Sequence, residues 1–106
     1  MATYSSIKFD FARAKQEAAR LESVADEMKR IANSEMEDTF SQLSSGWKGD
    51  SASLYLSKGS KVKQDILNTA NDLYAVAESI RRTAQKIYNA EMEAKRIAEE
   101  RARKSK

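Results

Sequence analysis

The chain has 106 residues, with 19 Lys and Arg against 16 Asp and Glu, and it contains no His, Cys or Pro. A hydrophobic fraction of 41% beside 33% charged residues is that of a small folded domain, neither disordered nor membrane-embedded. Without His or Cys there is no disulfide framework, thiol nucleophile, Ser-His-Asp triad or Cys/His zinc site.

The N-terminus, Met1–Ser6, has no charged segment leading into an apolar core, so no Sec-type signal peptide is expected. Nowhere does the chain approach the roughly 18 apolar residues of a membrane span. The first helical pattern follows. Phe11, Ala14, Ala18, Leu21, Ala25, Met28 and Ala32 alternate steps of three and four, as one face of a helix does. Val24 and Ile31 broaden that stripe. Asp10 is the expected N-cap, because its short acceptor side chain suits the free N–H groups of a first turn. The stripe then moves to Met36, Phe40 and Leu43, with two successive steps of four, a stutter that locally unwinds a coiled coil.

Next comes Ser44-Ser45-Gly46-Trp47-Lys48-Gly49-Asp50, with two of the chain's three glycines. Gly46 suits a left-handed helix C-cap. Gly49 permits a second sharp change of backbone direction, and Asp50 is placed to cap the following helix.

The second helical pattern is the stronger. Val62, Ile66, Thr69, Leu73, Val76, Ile80, Thr83, Ile87, Ala90, Ala94 and Ile97 keep a 4-3 spacing over five heptads, which is coiled-coil-like. Gly59 falls inside this helix and costs it about 1 kcal/mol relative to Ala. Leu67, Tyr74 and Tyr88 lie beside the stripe, with Arg81 among them. Ala70, Ala77 and Ala84 lie one position further round. Four of the seven wheel positions are therefore apolar or small, more than one neighbouring helix covers.

Charge is unevenly spread. Residues 1–94 hold 13 basic and 14 acidic side chains, whereas residues 95–106 hold six basic and two acidic ones. No aromatic residue is interleaved with the tail cations, so nothing there stacks on bases. Nucleic-acid binding is not expected. The plainer reading is a solvated helix end whose cations suit the negative pole of the helix dipole.

The predicted fold is all-α: two long antiparallel helices forming a helical hairpin in a single domain spanning residues 1–106. Helix 1 covers about 10–43, the turn 44–50, helix 2 about 51–97, and a basic tail 98–106. Two packed helices leave much of the apolar arc of the second in water, more than soluble monomers usually expose. Pairing two hairpins into an elongated four-helix bundle buries it. The expected hairpin and dimer core is Val62, Ile66, Leu73, Val76, Ile80 and Ile87.

Trp47-Lys48-Gly49 is a Trp-X-Gly triplet in the middle of about one hundred residues, between two heptad helices and followed by Ala52 and Tyr55. In this the chain resembles the Trp-X-Gly (WXG) family of small type VII secretion proteins, the ESAT-like superfamily. The resemblance runs from Ile7 to about Ile97. It implies a non-enzymatic protein without metal or cofactor, secreted or held at the cell surface of a Gram-positive bacterium. It implies assembly in the cytoplasm and export by a membrane ATPase without a cleaved signal or stable membrane insertion. Trp47 and Gly49 are then the motif turn, where Trp47 also closes the end of the bundle.

The family's C-terminal signal, Tyr-x-x-x-Asp/Glu, is matched imperfectly. Four residues after Tyr88 stands Met92; Glu91 and Glu93 flank it. Tyr88 with Glu91 is the candidate signal, since residues three apart share a helix face. Tyr74 and Glu78 keep the family spacing but lie in mid-helix. Two functions stay open: a substrate exported as a homodimer, or a helical adaptor that pairs with a larger type VII toxin.

Overall fold

Thr3 starts the first helix. Its hydroxyl accepts from the Ser6 backbone N–H at 3.0 Å, and the Ser6 hydroxyl accepts from the Thr3 backbone N–H at 3.0 Å. This reciprocal cap satisfies two donors that a bare helix end leaves open. The helix therefore begins at Tyr4, and Asp10, the expected cap, lies inside it.

The computed structural model describes residues 2–105, and the regular secondary structure among them is all helical. Helix α1 runs Tyr4–Arg30, a π-helical turn covers Ile31–Met36, and α2 runs Glu37–Gly46. Helix α3 runs Asp50–Lys104. Helix therefore extends through the segment expected as a tail; Lys106 falls outside the described residues. Arg96 pairs with Glu93 and Glu100, and Lys104 with Glu100. These bridges sit three and four residues apart and support the helix end.

The helices pack side by side within two units. One unit comprises Met1–Arg20 and Val76–Lys106. Here the Tyr4 hydroxyl donates to Glu99 at 3.0 Å, and the Phe11 and Tyr88 rings stack with centroids 4.5 Å apart. As the number of one partner rises, the other's falls, so the segments are antiparallel. Its buried residues are Ile7, Ala18, Ala77 and Ala84.

The other unit comprises Leu21–Ala75. The Tyr74 hydroxyl donates to Asp26, Lys63 pairs with Glu37, and the Phe40 ring lies against Gly59. The same opposed numbering makes this part antiparallel too. Its buried residues are Ala25, Ala32, Ala52 and Ala70.

The seam is thus lined mainly by alanines at seven-residue spacing: 18, 25 and 32 on one helix, 70, 77 and 84 on the other. Of the expected hairpin and dimer core, only part lies against this seam. Val62, Val76 and Ile87 remain 51%, 48% and 52% exposed, while Ile66, Leu73 and Ile80 are half-buried. The row that faces the neighbouring helix is the small-residue row beside them. Small side chains allow closer backbone approach, and helix separation depends on the side chains at the contact.

Candidate functional site

The turn belongs to the unit Leu21–Ala75. Gly46 ends α2 in helical conformation and is not left-handed, contrary to expectation; among the described residues only Gly49 takes positive φ, at 107°. Trp47 is extended, at φ −125° and ψ 121°, and its N–H closes the last turn on the Leu43 carbonyl at 2.8 Å. The Lys48 ammonium donates to the Ser44 carbonyl at 3.2 Å. Both contacts satisfy carbonyls that the helix end leaves without partners. The Gly49 carbonyl accepts the Ser53 N–H at 3.1 Å and so opens α3.

Trp47 is not sealed inside. Its ring tilts against Tyr55 at 5.7 Å between centroids, and 40% of the residue stays exposed. Leu54 and Tyr55 are exposed as well. Aromatic pairs of this geometry contribute about 0.5–1.5 kcal/mol beyond area burial. The pair thus steadies the turn while presenting apolar surface. The triplet's spacing identified Trp47 and Gly49; Leu54 offered no signal, because it lies off the heptad stripe.

Tyr88 and Glu91 belong to the unit of Met1–Arg20 and Val76–Lys106. Both are half-buried and line a shallow open groove with Ile7, Phe11, Ala14 and Ile87. Lys15 extends its ammonium over the opposite ring of the stacked pair, 4.4 Å from the Phe11 centroid. A second shallow groove on this unit is lined by Ala14, Ile80, Thr83 and Ile87. The structure thus brings Ile80 and Ile87 together with the candidate signal Tyr88 and Glu91 on neighbouring stretches of one apolar surface.

Tyr74, the alternative signal tyrosine, donates to Asp26 and lies under the Lys29 ammonium at 5.6 Å. Glu78 pairs with Arg82 at 4.0 Å. The Asp26 bond, with burial second, raises the Tyr74 phenol above its usual value, because the carboxylate favours the protonated donor. Tyr4 is raised in the same direction, first by burial and then by its bond to Glu99.

Among the described residues no group of three or more acidic, His or Cys side chains is arranged to hold a metal ion. None of the described helices is long and apolar enough to cross a membrane. The Phe40–Gly59 contact was missed from sequence. Its signal was a glycine in the middle of a helix with no turn to make, which marks close approach of a neighbour.

No family model, curated protein or solved structure matches this chain. Function must therefore be argued from the residues themselves.

Proposed function

We propose that this chain is a non-enzymatic protein of the Trp-X-Gly type, exported in dimeric form by a type VII secretion system. The observation that carries the reading is the turn. Trp47-Lys48-Gly49 joins the two helices of the hairpin, with Gly49 at positive φ and Trp47 partly exposed against Tyr55.

The exposed row supports the dimer. Val62, Val76 and Ile87 stand in water on α3. Fully burying a side chain of this kind stabilises by about 1.5–3 kcal/mol, so half-exposed ones retain a sizeable share of that drive. A second copy of the hairpin supplies the missing cover as a four-helix bundle. Export follows assembly in the cytoplasm, with the secretion ATPase as the cellular partner and the cell surface or medium as destination. No catalytic residue, cofactor or nucleic acid enters this reading.

One observation favours a second reading. Tyr88 is stacked on Phe11 and half-buried, so its ring is less available to a receptor than a free signal tyrosine. An adaptor that pairs with the helical region of a larger toxin relies on its partner's signal instead. Expression in a Gram-positive host with and without the ATPase tests the proposal. Export that depends on the ATPase supports it; export unchanged by the deletion rejects it. Export only on co-expression with a long helical partner selects the adaptor.

A further inference from the structure

The unit Leu21–Ala75 carries a change of phase within its first helix. Ala25, Met28 and Ala32 face the seam at heptad spacing, with Ala25 and Ala32 fully buried. The next half-buried positions are Met36, Phe40 and Leu43. An unbroken heptad would place each of these one residue earlier. In an α-helix one residue turns a side chain by about 100°, enough to carry Phe40 off the seam. Yet the Phe40 ring lies against Gly59.

The backbone accounts for the extra residue. Ile31–Met36 is a π-helical turn, and a π-turn takes up one residue more than an α-turn before the chain resumes its former direction. Three side-chain contacts tie it down. Arg30 donates through Nε to Glu27 Oε2 at 3.1 Å and through Nη1 to Glu35 Oε1 at 3.1 Å, so it straddles the start of the turn. The Thr39 hydroxyl donates to the Glu35 carbonyl at 2.9 Å. The Glu37 N–H reaches back only as far as the Ser34 carbonyl, so hydrogen bonding inside the turn is irregular.

We propose that one residue of 31–36 is an insertion into a heptad helix, stored as a π-turn and clipped by Arg30. It sets the register of α2 against α3 and is the point at which the first helix opens most readily. This inference is independent of the secretion reading.

Deletion of the exposed Asn33 tests it on the full chain. The expected protein keeps its helical circular dichroism, unfolds at a higher temperature, and exchanges the amides of residues 34–37 more slowly than the parent. In an ordinary α-helix the same deletion would rotate Phe40 and Leu43 off the seam. A lower unfolding temperature, or failure to fold, therefore overturns the proposal. Deletion of the exposed Ser23, within regular α1, is the control and must destabilise. Arg30→Gln supplies a second readout. It should speed exchange at 34–37 several-fold in the parent and far less in the deletion variant; equal effects in both overturn the clip.

Discussion

Gly59 shows how one contact reverses a propensity argument. In a helix interior Gly→Ala gains about 1 kcal/mol. A Cβ at Gly59 would stand 2.7 Å from the Phe40 ring, so the ring must move and surrender part of its burial. Gly59→Ala is expected to leave the unfolding temperature unchanged or lower it. On a Phe40→Ala background the same change should be stabilising by about 1 kcal/mol, since the propensity gain is then unopposed. Thermal melts of the four proteins check this, and equal effects in both backgrounds would exclude the contact. Tyr74 makes a second prediction. Its phenol is raised in the fold by the bond to Asp26, so the folded state holds the proton more tightly than the unfolded chain. The stability it contributes is present below pH about 10 and is lost as pH rises through that value into the raised range. Tyr74→Phe should flatten the alkaline decline in unfolding temperature relative to the parent; an unchanged decline rejects the assignment.

At the scale of elements, both helices were legible and the seam between them was not. Periodicity of 3.6 shows wherever apolar residues recur, and it marked both helices along most of their length. Four of seven wheel positions on the second helix are apolar or small, however, and side-chain size ranks Val and Ile ahead of Ala. The choice among them is made by how closely two backbones approach, which one strand of sequence does not contain. The alanine seam is the testable consequence. Ala77 is fully buried, so Ala77→Leu overpacks the seam and should cost about 1–3 kcal/mol despite Leu's helix propensity. Denaturant melts measure it, and an unchanged midpoint would place Ala77 outside the seam. The helix start was misread for a related reason. Asp10 is a good cap by type, but the Thr3–Ser6 pair reaches further back and satisfies two donors together.

At the scale of the molecule, the proposed dimer rests on the exposed row of α3. Light scattering on the purified chain is expected to give twice the monomer mass, stable on dilution through micromolar concentrations. Val76→Asp with Ile87→Asp places charges where the hairpin alone leaves both residues about half exposed. The double variant should be a monomer with helical circular dichroism retained, because an unpaired charge is costly only where a partner would bury it. A variant that remains dimeric moves the interface elsewhere. If the row instead awaits a toxin helix, the parent itself is monomeric or aggregates, and co-expression with that partner restores a defined complex.

The amino-acid sequence by itself determined the helical class, the two-helix plan and the position of the turn. Each follows from local rules: heptad spacing, the lack of proline, and paired glycines at one place. The tertiary structure alone decided which row became the seam, why Gly59 stands inside a helix, and that the stutter is absorbed by a π-turn at Ile31–Met36. Those outcomes depend on the approach of a second helix, where the room beside each side chain, not its hydrophobicity, selects the contact.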